Sequence, residues 1–399
     1  MGLTMVDEIR KRIPGVRFKF AVHPRIYEME QEWAQRYGLE IVPRLGIQEY
    51  YRLRFAGILR FFGKAPASKE GLRALLREVL DSYEWADVIV NNEGISYVGD
   101  GTRRIRISVL EHSGYQFSRI KKRPYARFIQ SYGPFDDWRV RWLAKRELSS
   151  LPFVFARGQE SADFCSTVAN SDLVHCVPDS AIVLGMCDEN AGYELLKELG
   201  LQPKNYVVLS PSAVLVNAIR KETPGSIGAK HIESMVSLAS ELLKRGERVL
   251  FLPHMYSRVL HECDREVCRK VIGQLPESDA VKLVERDIDA KEAKWLISNS
   301  RQCVVSRYHA LVAAISTATP VVTIGWNVKY RDLLGFYGGE RMAVDAREYE
   351  PAALCEEVLA RLATFDQKMV EKVGQRQREN AQMVYQAFDR LTAWMEEVT

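Results

Sequence analysis

Hydrophobic positions along this chain follow two alternating patterns. Short apolar runs rich in β-branched and aromatic residues are separated by stretches in which apolar residues recur every three or four positions, the spacing of one helix face. The runs at 16–22, 86–91, 104–110, 127–132 and 152–157 predict strands in the first half, and those at 206–211, 248–254, 280–285, 303–306 and 320–326 predict strands in the second. Between them, 67–85 carries Leu72, Leu75, Leu76 and Val79 at helical spacing, 231–246 is an amphipathic stretch closed by Gly246, and 289–300 repeats the pattern. Strands alternating with helices imply βαβ units and parallel sheets.

A polar, turn-rich segment, 185–205, separates the halves. The expected organisation is a Rossmann-like domain over 1–187, a second over 188–365, and one long helix over 366–399 packing across them. Two doubly wound α/β domains are expected to face a cleft and to bind ligands beyond the carboxyl ends of their strands. The chain opens on an amphipathic helix, Met5 to Ile13, where such a domain usually opens on a strand and a turn, so the first strand of the amino-terminal domain is expected to be missing.

Composition narrows the function classes. Of 399 residues 47% are hydrophobic and 27% charged, and the formal charge of +4 is spread along the chain, so an extended nucleic-acid surface is not indicated and any anionic partner is small. No apolar segment approaches the ~20 residues that span a bilayer, and "MGLTMVDEIRKRIPG" lacks a signal-peptide apolar region. A cytoplasmic location is expected, with room for peripheral contact with a membrane. The 7 scattered cysteines fit free thiols. His261, Cys263 and Cys268 lack a second ligand pair, so no metal is expected, and no GxxxxGK[ST] phosphate loop is present.

The candidate chemistry clusters at strand ends. In "CVVSRYHALVAAISTATPVVTIGW" a strand, a short loop and a helix put Arg307, Tyr308 and His309 where helix N–H groups favour an anion. A histidine there suits acid catalysis beside a bound phosphate or carboxylate; its plainer reading is a ring satisfied by a backbone carbonyl. Lys329 in "NVKY" follows the strand 321–325 and should emerge on the same edge, though a lone lysine is usually only solvated. In the first domain "VFARGQES" ends a strand in Arg157, which can grip a carboxylate or pair with Glu160 or Asp163, and brings Ser161 to a helix start. "ADVIVNNEGI" puts Asn92 and Glu93 after a strand, with Glu93 as acid, base or clamp for a sugar hydroxyl.

Taken in order, "ADVIVNNEGI", "QSYGPF", "RGQES", "VPDSA", "FLPH", "SRYHALVAAISTATPVVTIGW" and Lys329 in "NVKY" resemble the polysaccharide pyruvyl transferase family over about residues 80 to 335. The resemblance implies a two-domain GT-B-like fold and transfer of pyruvate from phosphoenolpyruvate to a sugar, commonly as a ketal, with no cofactor. It implies a sugar or lipid-linked oligosaccharide acceptor and matches Arg157, His309 and Lys329 to the donor site. On chemical grounds Arg157 and Lys329 would supply cations, His309 the acid or a phosphate clamp, and Glu93 the acceptor side, with Arg307, Asn92 and Ser161 as further substrate-binding candidates. "NNEG" stands where many members have a glycine pair. Competing expectations are a GT-B glycosyltransferase using a nucleotide sugar and a non-catalytic glycan-binding relative.

Overall fold

The computed structural model describes residues 2–22, 27–45, 69–99, 101, 105–216, 227–256, 263–325 and 328–399. Its contacts divide the chain into two compact units, one of residues 1–177 with 385–399, the other of 178–384.

The second unit is built on one six-stranded sheet: β9 (Tyr206–Ser210), β10 (Arg248–Phe251), β11 (Val281–Leu283), β12 (Gln302–Val305), β13 (Val321–Ile324) and β14 (Ala343–Val344). Every pairing is parallel and the order is β11-β10-β9-β12-β13-β14. Counted from β9 this is the doubly wound order 3-2-1-4-5-6, in which the winding direction reverses between β9 and β12. The inner strands are nearly continuous apolar runs because both faces are covered, while the edge strand β11 is half-buried and carries Lys282. Val207, Leu209, Val249, Phe251, Val304, Val322 and Ile324 are buried against Met235 and Leu238 of the helix Ile227–Lys244 and Val358 of the helix Pro351–Ala363. The predicted helix at 289–300 forms over Ala290–Ser298, where Asp289 and Glu292 complete a reciprocal cap on its first turn.

The first unit is assembled from shorter parallel pairs. Here β1 (Lys19–Val22) pairs with β2 (Glu40–Pro43), β3 (Ile89–Asn91) with β5 (Tyr125–Arg127), β4 (Ile95–Ser96) with β6 (Ser131–Tyr132), and β7 (Val154–Arg157) with β8 (Val174–Val177), with Gln130 bridging to Ala156. The run 127–132, expected as one strand, is thus two, broken where Ile129 takes a positive φ of 29°. A larger correction concerns 104–110, expected as a strand: Ile105–Glu111 is a helix, α4. Ile105 packs on the cluster of Tyr97, Tyr115 and Val154, and Val109 on that of Leu76, Val79 and Phe117. Two β-branched residues four apart, each with a core to meet, outweigh their strand preference.

The last helix, Gln367–Val398, gives its first part to the second unit and residues from Tyr385 onward to the first. In the second unit Gln377 donates to Ile182 O at 3.1 Å and Asn380 to Phe336 O at 3.1 Å. In the first, Phe388 meets Phe128 at 4.5 Å between ring centroids and Trp394 meets Phe153 at 5.8 Å.

Behind β5 the first unit buries a complete charge network. Arg127 is fully enclosed, with its Nε on Glu147, Nη1 on Ser96 Oγ at 2.8 Å and Gln130 Oε1 at 2.9 Å, and Nη2 on Glu111 O at 2.9 Å. Glu147 also accepts from Tyr125 at 3.0 Å, from Tyr97, and from His112 Nδ1 at 2.7 Å. Its carboxyl is held below the usual range because Arg127 and His112 outweigh the opposing effect of burial. Removing one member of a buried pair strands the other charge, so Glu147→Ala should cost about 3–5 kcal/mol in urea unfolding; a loss under about 1 kcal/mol, the range of an exposed pair, would contradict this account.

Candidate functional site

In the second unit the winding direction reverses between β9 and β12, and ligands of this architecture bind beyond the carboxyl ends of the strands at such a point. Ser306 extends the β12 ladder, donating to Ser210 O at 2.8 Å. Arg307 then turns out of the strand at φ −105° and ψ 137° and caps the helix α12 (Tyr308–Ser316). His309, the second residue of α12, is exposed, while the apolar run from Ala310 to Ile315 is buried. That contrast resolves the junction noted in the sequence: the buried run fixes the helix, and the helix presents the imidazole at its amino end.

Lys329 begins the helix Val328–Gly335 after β13. Its ammonium lies 5.3 Å from the Tyr308 ring centroid and 5.4 Å from that of Tyr330. The His309 ring stands against Tyr308 at 5.5 Å and 78°. Tyr330 donates to Ser306 O at 2.9 Å and meets Tyr308 edge-on at 5.9 Å, which fixes the aromatic pair to the strand end. Tyr308 therefore touches both His309 and Lys329, a role sequence reasoning did not assign it. Trp326 and Asn327, which precede Lys329, lie outside the described residues, as does His261.

Arg307 is committed to a different task. Its fork closes on Asp264 with Nε–Oδ2 at 2.7 Å and Nη2–Oδ1 at 2.5 Å. The same buried carboxylate accepts from Ala213 N at 2.8 Å and His254 N at 3.3 Å. One side chain thus ties the segments following β9, β10 and β12. Asp264 was not singled out in the sequence, where "CDREVC" reads as a polar helix start. Two further groups point to built polarity here: Ser306 Oγ and His254 Nδ1 are buried without hydrogen-bond partners among the described residues. Burial, with the nearby Arg307 charge, pushes the His254 imidazole down to about 4.

The remaining predicted residues gather at the carboxyl edge of the first unit. Arg157 ends β7, with Nε on Ser131 Oγ at 2.9 Å and Nη2 on Gly94 O at 2.7 Å, so it binds the segments after β3 and β5 to its own strand. Ser161 spends its hydroxyl on Tyr132, accepting from N at 3.0 Å and donating to O at 3.3 Å. Beneath it, Gly133 has φ 77°, and a Cβ there would come within 2.6 Å of Phe164 Cδ2, so this turn admits only glycine. Glu93 is ion-paired with Arg44 and accepts from Ser96 Oγ at 3.3 Å. Asn91 caps Glu93 N at 3.0 Å and takes two bonds from Gln130, while Asn92 Oδ1 is buried without a partner among the described residues. Through Ser96 and Gln130 this loop rests on the buried Arg127.

A sequence model of the polysaccharide pyruvyl transferase family matches residues 73–328. Among curated proteins, the ribose import ATP-binding protein RbsA of Roseobacter denitrificans (strain ATCC 33942 / OCh 114) is 28% identical over 155 residues, 36% of this chain and 29% of that protein. The chain therefore spans less than a third of that relative's length. Among solved structures, UDP-GlcNAc 2-epimerase from Neisseria meningitidis is similar with TM-score 0.57 at 12% identity, covering 99% of this chain and 95% of that one. The epimerase from Methanocaldococcus jannaschii gives 0.57 at 10%, covering 98% and 95%, and MnaA from S. aureus gives 0.52 at 13%, covering 94% of each. At such identities the likeness shows the fold, a GT-B-type pair of Rossmann-like units.

Two outcomes follow from the site's construction. Asp264→Ala leaves the Arg307 charge and two backbone N–H groups without their acceptor, and should destabilise by about 3–5 kcal/mol, with Asp264→Asn losing less; equal stability of all three proteins would remove Asp264 from this role. His231, buried in the second unit, has its imidazole pushed down to about 4 by burial, as His254 has. Below the usual 6.5 the unfolded chain takes up protons that the folded chain refuses until about 4, so stability is lost as pH falls through that window. For both rings together the loss between pH ~7.5 and ~5.5 should be about 2–3 kcal/mol by urea unfolding; a flat profile would mean that the folded chain protonates them as readily as the unfolded one.

Proposed function

Because the chain belongs to the polysaccharide pyruvyl transferase family, we propose that it takes its pyruvyl group from phosphoenolpyruvate, with the second unit holding this donor and the first the sugar acceptor. The observation that carries the reading is the meeting of His309 and Lys329 over Tyr308 at the amino end of α12. Phosphoenolpyruvate brings a carboxylate and a phosphate to be held. The first N–H groups of α12 and the Lys329 ammonium supply positive charge for them. Arg307, neutralised by Asp264, contributes less charge than its residue type suggests and serves chiefly to set the helix.

In the reaction His309 protonates the terminal methylene, which leaves the central carbon electrophilic. An acceptor hydroxyl bonds to that carbon and gives its proton to Glu93. The bond from the central carbon to the phosphate oxygen then breaks, phosphate departs with the electron pair, and a second hydroxyl closes the ketal with loss of its proton. Two hydroxyls and one phosphoenolpyruvate thus yield one cyclic ketal and inorganic phosphate. Asn92 and Ser161 belong to the acceptor side, Ser161 by shaping the Tyr132–Gly133 turn. Arg157 supports the same edge by fixing Gly94 and Ser131, a bracing role beside the donor contact that the family resemblance implies.

Calorimetric titration of phosphoenolpyruvate into the wild type, His309→Ala, Lys329→Ala and Arg157→Ala tests this. Binding should fall by tenfold or more in the first two variants, and turnover of His309→Ala by about 10²- to 10⁴-fold. A folded wild type that ignores phosphoenolpyruvate but is stabilised by a nucleotide sugar, by about 2.7 kcal/mol at 100 times its dissociation constant, would make it a glycosyltransferase instead.

A further inference from the structure

The helix Trp138–Leu148 of the first unit, α6, carries a surface that pyruvyl transfer does not use. Its buried residues are Val140, Ala144, Glu147 and Leu148. Its outward stripe, at spacings of three and four, is Trp138, Arg141, Trp142 and Lys145. Trp138 is 75% and Trp142 54% exposed, the two highest values among the exposed large hydrophobic residues described. Tryptophan is seldom left in water in this way, because its ring buries large apolar area while its N–H tolerates a wet boundary.

The charge around these rings is mainly positive, with the exposed Asp136 at the start of the helix as the opposing charge left over once Asp137 is paired. Arg146 lies over the Trp142 ring at 5.3 Å, and Arg141, Lys145 and Arg146 have no ion-pair partner among the described residues. The helix's acidic residue, Glu147, points inward to Arg127. Arg139 is the exception, turned back on Asp137 at 2.7 Å. A second copy of this face would set cation against cation, which disfavours a symmetric dimer. A mainly cationic stripe with two exposed indoles matches the headgroup layer of an anionic bilayer, where tryptophan settles and basic residues meet lipid phosphates.

We infer that α6 docks this protein peripherally on anionic membrane through Trp138 and Trp142, with Arg141, Lys145 and Arg146 on the headgroups. No helix among the described residues is long and apolar enough to cross a membrane, so the contact is one of surface. Its position also has a consequence: the loop from Tyr132 to Asp137 leads straight from the carboxyl end of β6 into α6, with Asp137 N bonded to Gly99 O at 2.9 Å. Docking there brings the edge that holds Asn92 and Glu93 toward the lipid surface, where a lipid-linked acceptor would be met.

The inference goes beyond the proposed reaction and is tested without turnover. The full chain is sedimented with phosphatidylcholine vesicles and with vesicles also containing phosphatidylglycerol. Binding to the anionic vesicles alone, weakened by salt and accompanied by a blue shift of tryptophan emission, is the expected result. Trp138→Ala/Trp142→Ala and Lys145→Glu/Arg146→Glu should each weaken it about tenfold or more at unchanged melting temperature, while Tyr193→Ala, an exposed aromatic of the other unit, should not. Absence of binding, or binding indifferent to both double variants, overturns the inference. So does quenching of tryptophan emission by a soluble acidic polysaccharide when vesicles have no effect, which would make the stripe a glycan platform.

Discussion

The carboxylate of Asp264 is the constraint on which the geometry of the segments after β9, β10 and β12 depends. An isolated buried carboxylate is costly, and here two arginine N–H groups and two backbone N–H groups offset that cost. Those four donors come from the segments after β9, β10 and β12, so satisfying one charge also fixes three loops at the point where the sheet reverses direction. The start of α12 is set by this closure, and with it the exits of Tyr308 and His309. Tyr330, bonded to Ser306 O, then places Lys329 over the same aromatic face. Loosening Asp264 would therefore be felt at side chains that never touch it.

The first unit uses the same device. Arg127 and Glu147 form a buried pair whose remaining hydrogen-bonding capacity is spent on Tyr97, Tyr125, His112, Ser96 and Gln130. A pair so enclosed does not by itself mean greater stability than well-packed apolar residues would give. What it supplies here is direction, because Gln130 and Ser96 pass the constraint to Asn91 and Glu93 beyond the carboxyl end of β3. Arg157 acts at that edge in the same way, holding Gly94 and Ser131.

How much of this was legible in the sequence depends on the range of the interaction. Five of the six strands of the second unit could be read because the middle of a sheet covered on both faces is apolar, whereas the two-residue edge strand Ala343–Val344 is too short to carry that signal. His309 could be read because its position follows from strand, loop and helix taken together. The helix Ile105–Glu111 could not, since its β-branched residues favour a strand until two separate apolar clusters are in place. Asp264 and Arg307 are 43 residues apart, and Arg127 and Glu147 are 20 apart. In one dimension each looks like an ordinary solvated charge. Only folding shows that Arg307, read as a substrate-binding cation, is already occupied, and that Tyr308 touches both His309 and Lys329.

The choice of cation at each place fits this division. Arginine is planar, keeps its charge when buried and meets a carboxylate with two parallel bonds, which makes it suited to hold fixed geometry in Arg127, Arg157 and Arg307. Lysine is a compact, mobile charge on a flexible stem, and Lys329 is the one placed against the Tyr308 ring. A site that must both keep its shape and release an anion separates those tasks between residues. In this chain the inward-facing arginines keep the shape, and the exposed His309 and the half-buried Lys329 stand at the starts of two neighbouring helices.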